Sequence, residues 1–162
     1  MEKMEQIGKA VLDYRFYPED DKYTDGAIED EMLEIARNCA PEQYERVIVE
    51  KKSWPILYHF SYLRENIIRW LPMDGSENVL EIGAGPGAIT GALCEKARQV
   101  TVIDLSKKRC LINAYRHKDC DNLHFLVGNF QDIEPKLTEQ YDLITLIGVF
   151  EYAQFSIQSE YP

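Results

Sequence analysis

The segment Val79-Leu80-Glu81-Ile82-Gly83-Ala84-Gly85-Pro86-Gly87 constrains this chain more than any other. A short apolar run enters a turn with glycine at every second position, and the helical spacing of AITGALCEKA (88–97) follows. Glycine accepts positive φ and lets a ligand approach the backbone, while a helix start offers free N–H groups. The unit suits a small, partly anionic ligand. Downstream, QVTVIDL (99–105), KKRCLINAYRH (107–117), LHFLV (123–127) and YDLITLI (141–147) read as strand, helix, strand and strand. Strands that are apolar throughout, alternating with short helices, predict right-handed crossovers and a parallel sheet covered on both faces. The expected fold class is α/β, a Rossmann-like doubly wound parallel sheet with its ligand beyond the carboxyl ends of the strands.

Upstream, the pattern is weaker. Residues 1–72 read as a mainly helical N-terminal extension and possible lid, and 73–162 as the ligand-binding core. AVLDYRFY (10–17) can be a strand. AIEDEMLEIARN places Ile28, Met32 and Ile35 or Ala36 on one helical face, with Asp25 as N-cap and acids in the first turn, where the helix dipole favours them. Pro41 stops that helix. A second pattern from Ser61 sets Leu63, Ile67, Trp70 and Leu71 on one face until Pro72.

Composition bounds the function. The 162 residues amount to one ordinary domain or a domain with a short extension, and 45% apolar content is enough to bury a core. Acidic residues outnumber basic ones 28 to 18, giving a net charge of −10, and Lys107-Lys108-Arg109 is the one dense basic run. Proteins that grip phosphate backbones need a basic face, so a nucleic-acid partner is unlikely on charge grounds. No apolar run approaches a membrane span and MEKMEQIGKA has no signal-peptide pattern, which makes cytoplasmic the expected localisation. The four cysteines form no Cys-x-x-Cys pair. HKDCDNLH (117–124) holds metal-competent side chains but reads as a polar loop without a second ligand pair, so no metal is expected.

Asp104 ends the second core strand 21 residues after Gly83, where a carboxylate takes the ribose hydroxyls in nucleotide-binding α/β folds. Gly83-x-Gly85-x-x-Ala88 also satisfies the dinucleotide fingerprint, so a nicotinamide or flavin oxidoreductase stays open, as does a non-catalytic nucleotide-fold remnant. Glu81 weighs against a dinucleotide, because a carboxylate two residues before the first glycine is placed to meet a ligand's ammonium group.

Together, VLEIGAGPGAITGAL, VTVIDLS, LVGNFQDI and YDLITLIGVFEY resemble successive motifs of class I S-adenosylmethionine-dependent methyltransferases, over about residues 54–155. The resemblance implies S-adenosyl-L-methionine as cofactor. It places Glu81, Gly83, Ala84, Gly85 and Gly87 around the methionine part and Asp104 on the ribose, with Leu105 on the adenine. Asn129, with Phe130, stands where the family often has an Asp on the adenine amino group, and Gly148 closes the fourth strand. EIGAGPGAIT alone is similar to ribosomal RNA adenine dimethylases, but IGVFEY replaces their Asn-x-Pro-aromatic motif and resembles small-molecule enzymes. WPILYHFSYLREN through the glycine loop resembles methyltransferase domains found beside glycosyltransferases, which implies a small-molecule or sugar-type acceptor.

Methyl transfer is an in-line displacement that alignment and water exclusion can accelerate. A hydroxyl acceptor adds a need for a base, for which the candidates are Glu151, Tyr152 and His59. Tyr58 or Arg64 is placed to meet the methionine carboxylate. The resemblance implies seven strands, and four core strands precede Tyr161-Pro162. A chain truncated after the fourth is therefore expected, with Leu143, Ile144, Leu146 and Ile147 exposed on an open edge, self-association through that edge, and weak catalysis alone.

Overall fold

A computed structural model describes residues 3–19 and 26–150. Its sheet has six strands: β1 (Met4–Ile7), β2 (Ala10–Phe16), β3 (Asn78–Ile82), β4 (Gln99–Asp104), β5 (Leu123–Gly128) and β6 (Leu143–Leu146), in the order β1-β2-β5-β4-β3-β6. Every neighbouring pair is parallel except the β1–β2 hairpin. The four expected core strands occupy the predicted segments. The N-terminal extension contributes helices as expected, and its hairpin also extends the sheet, with β2 running parallel to β5.

The helices are α1 (Ala27–Asn38), α2 (Tyr44–Lys51), α3 (Trp54–Phe60), α4 (Asn66–Arg69), α5 (Thr90–Lys96), α6 (Lys107–Arg116) and α7 (Phe130–Ile133), with 3₁₀ turns at Tyr62–Glu65 and elsewhere. Alternation along the strands divides the core. Val79, Val100, Val102, Phe125 and Leu12 pack with Ala92 and Leu93 of α5 and Cys110 and Ala114 of α6. Leu80, Ile82 and Ile103 pack on the other face with Ile133 of α7. A third cluster joins Met32, Ile35 and Ala36 of α1 to α2, α3 and Ile112 of α6, so the predicted face of α1 is the buried one. Gly26 stands at its N-cap position, and the proposed cap Asp25 lies outside the described residues.

The region after Ser61 departs from its helical pattern. The 3₁₀ turn has three residues per turn, which shifts the phase of the short α4. Ile68 is buried, and Leu63, Ile67 and Trp70 are 58%, 47% and 72% exposed. Among the described residues β6 is an edge strand. Ile144 and Leu146 are exposed there as expected, but Leu143 and Ile147 pack against the main core. Among the described residues no helix is long and apolar enough to cross a membrane.

Candidate active site

The glycine turn closes on itself before α5 begins. Gly83 N–H continues the ladder to Ile103 O at 2.8 Å, and Gly87 N–H turns back to Ala84 O at 3.1 Å. The helix starts only at Thr90, so the backbone around the turn, rather than a helix end, forms the cradle. Gly85 has φ +54° and a Cβ there would meet open space, whereas at Gly87 (φ +80°) it would overlap the Asn113 side chain. The two glycines are needed for different reasons: one keeps a surface clear, and the other lets α6 approach.

A cavity of about 420 Å³ opens over Gly83, Ala84 and Gly85 and is walled by Glu81, Thr145, Gly148, Tyr58, His59, Arg64 and Arg109. Glu81 is 2% exposed and accepts a 2.7 Å hydrogen bond from the Thr90 hydroxyl. Burial raises its pKa to about 7, with Thr90 holding it down and Asp104 adding to the rise. Across the cavity, Arg64 donates to Tyr58 Oη at 3.0 Å and lies 4.1 Å from the Tyr58 ring centre, while its buried Nε has no hydrogen-bond partner among the described residues. Thr145 sits in register beside Glu81 on β6, and its buried Oγ1 is likewise unpartnered there. Buried polar atoms are ordinarily bonded, and these two belong to residues of the cavity wall, although neither atom is exposed to the cavity.

Of the other predicted residues, Asp104, Leu105, Asn129 and Phe130 fall around this cavity, and His59 is in its wall. Asp104 accepts from Gly85 N–H at 2.8 Å through one oxygen and from Ser106 N–H at 2.9 Å through the other, tying the glycine turn to the start of α6. Leu105 is exposed beyond it, and Asn129 caps α7 by accepting from Gln131 N–H at 3.0 Å, with Phe130 packed in the second core face. His59 is in the wall, edge-on to Tyr58, and burial together with Arg116, Arg109 and Arg64 lowers its pKa to about 4. Glu151 and Tyr152 lie outside the described residues.

Sequence reasoning did not nominate Thr145, Arg109 or Arg116. Thr145 is the polar interruption of an apolar strand and could have been flagged on that ground. Arg109 reaches the wall while its Nε donates to the buried Glu29 at 2.6 Å, a pairing between helices distant in sequence. Arg116 donates to Pro86 O at 2.6 Å and lies over the Phe60 ring at 4.5 Å, bracing the turn against α3.

The family model described as a methyltransferase domain matches residues 80–160, half of the chain. The chain belongs to this methyltransferase domain family. It is similar to a protein-L-isoaspartate O-methyltransferase of Dictyoglomus turgidum, 30% identical over 112 residues that cover 62% of this chain and 49% of that protein. The chain thus spans about half the length of the curated relative it matches. Among solved structures it is similar to Haemonchus contortus phosphoethanolamine N-methyltransferase 1, with 22% identity and a TM-score of 0.46 over 69% of this chain and 25% of that one. It is also similar to a dimethyladenosine transferase of Plasmodium falciparum, with 24% identity and a TM-score of 0.43 over 62% of this chain and 37% of that one.

Proposed function

We propose that this methyltransferase-family chain binds S-adenosylmethionine in the cavity over Gly83–Gly85 and directs its methyl group to a small-molecule or sugar-type acceptor. The carrying observation is the presence of a buried carboxylate, Glu81, and a guanidinium, Arg64, on the walls of one cavity. A ligand with an ammonium and a carboxylate on a short frame satisfies both. A pyrophosphate gives Glu81 no cation and brings it like charge, which counts against a nicotinamide or flavin cofactor.

When bound, the cofactor supplies a methyl group activated by positive sulfur. The chain's own work is placement. Glu81 and Arg64, with Tyr58, hold the amino-acid end, the clear surface at Gly85 receives the ligand, and Asp104 keeps that turn in position on the ribose side of this reading. Leu105, Asn129 and Phe130 lie on the adenine side of this reading. Trp54, Tyr58 and His59 of α3 wall the cavity and shield it from water. The candidates to take a proton from an acceptor hydroxyl are His59, Glu151 and Tyr152; His59 is neutral above about pH 4, and the same low pKa makes it a weak base. The net charge of −10 favours an acceptor that is not a polyanion. Among the described residues β6 has an open edge that carries the exposed Ile144 and Leu146, and this is the surface through which the chain would self-associate.

Calorimetric titration with S-adenosylhomocysteine, NADH and FAD side by side tests the reading. Saturable binding of the first alone is expected, and Asp104→Ala is expected to weaken it by about 1.5–3 kcal/mol, the range for a hydrogen bond to a charged group. Binding of NADH without S-adenosylhomocysteine would overturn the assignment.

A further inference from the structure

Behind Glu81, away from the cavity, a chain of hydrogen bonds crosses from α5 to the end of α6. The Thr90 hydroxyl lies 2.7 Å from Glu81 Oε2, Asn113 Nδ2 lies 2.9 Å from Thr90 Oγ1, and His117 Nδ1 lies 2.8 Å from Asn113 Oδ1. Thr90 and Asn113 are fully buried. With Glu81 ionised, the bonds run in one direction. His117 Nδ1 also lies 3.0 Å from the Asn113 backbone oxygen, which can only accept, so Nδ1 carries the proton. The Asn113 amide therefore turns its oxygen to His117 and its N–H to Thr90. Having accepted that bond, the Thr90 hydroxyl donates its single proton to Glu81. Three donors in series end on one carboxylate, and each polarises the next.

Two glycines make room for this line. A Cβ at Gly87 would overlap the Asn113 amide, and one at Gly91 would come 2.9 Å from His117 Nε2. Desolvation and Arg116 lower the His117 pKa to about 3, so the ring is neutral throughout the neutral range.

We propose that Asn113 and His117 are positioning residues that act through Thr90 to favour the ionised form of the Glu81 carboxylate and fix it for a cationic group in the cavity. The cationic group rests on the cofactor reading above; the effect on Glu81 does not. Other groups bear on the same carboxylate: Asp104 from β4 opposes its charge and Arg116 from α6 favours it, while Thr145 neighbours it on β6 and His59, Arg64 and Arg109 share its cavity.

The test is a carboxyl-carbon NMR titration of the full chain labelled at glutamate, with the Glu81 signal identified by its absence in Glu81→Gln. Asn113→Leu removes the amide without adding charge and is expected to move the Glu81 midpoint upward by roughly half a unit or more. His117→Leu moves it the same way by less, and His117→Asn, which keeps a donor near the Nδ1 position, restores it. Thr90→Val, with the side-chain shape kept, raises the midpoint by roughly one unit and Thr90→Ser restores it; this pair carries the test of the terminal donor if Asn113→Leu does not fold. An unchanged midpoint in folded Asn113→Leu, or in folded Thr90→Val, would overturn the proposal. S-adenosylhomocysteine affinity at pH 7 is measured on the same samples. A raised midpoint with no S-adenosylhomocysteine binding by any sample upholds the relay and refutes the cofactor reading instead.

Discussion

Glu81→Gln is expected to make the unliganded chain more stable and the cofactor site non-functional. In the folded chain Glu81 holds its proton up to about pH 7, against an ordinary value of 4.5. Between those values the folded state binds more protons than the unfolded state, so Glu81 lowers stability as pH rises through that window. Above it the full cost is present, about 3 kcal/mol at one unit per 1.36 kcal/mol, before relaxation reduces it. Gln matches the protonated acid in shape and can still accept from Thr90. Chemical unfolding at pH 8 should therefore show the variant more stable by roughly 1–3 kcal/mol, with the two proteins converging near pH 4.5. Binding moves the other way. Loss of the carboxylate opposite the ligand's ammonium is expected to weaken S-adenosylhomocysteine by about 10- to 100-fold at pH 8, and the native chain should lose affinity itself as pH falls below about 7. Equal stability of the two proteins at pH 8 would show that the carboxylate is not held under strain. A site kept charged at a cost to the fold is a common exchange of stability for function.

The second large effect separates two glycines of the same turn. Gly87→Ala places a methyl group into the Asn113 amide at a φ of +80°, combining left-handed backbone cost with overpacking against fully buried atoms. A loss of about 2–5 kcal/mol is expected, enough to unfold a marginal domain. Gly85→Ala meets open space at φ +54°, so it should cost only about 1–2 kcal/mol of stability while placing its methyl on the cradle the ligand would occupy. Thermal unfolding with and without S-adenosylhomocysteine distinguishes them: Gly87→Ala lowers the unliganded midpoint sharply, and Gly85→Ala removes most of the ligand-induced rise. Equal destabilisation by both would contradict the division of roles.

The central strands were legible because each is a continuous apolar run, and the strand, turn and helix around Gly83 follow from local chemistry. The strand character of residues 10–17 was legible too. Its place beside β5 was not, because parallel partners are chosen by long-range packing. β1 carries one buried residue, Ile7, in MEQI, and so shows no alternation to read. After Ser61 the apolar spacing suggested a buried helical face, but a 3₁₀ turn changed the phase and left Trp70 exposed. In the site, Glu81 was legible from its position before the glycines, and Tyr58 and Arg64 could be nominated. Thr145 depends on β6 pairing with β3, and Arg109 and Arg116 depend on α6 meeting α1 and the turn, none of which local spacing encodes. Nor does a glycine string reveal that Gly85 faces open space while Gly87 faces Asn113.

A crystal structure of the chain with S-adenosylhomocysteine tests the central claim most directly. The account predicts the ligand over Gly83–Gly85, with its ammonium on Glu81 and its carboxylate reached by Arg64. Density for the ligand elsewhere on the chain, or its amino-acid end turned away from Glu81, would contradict it.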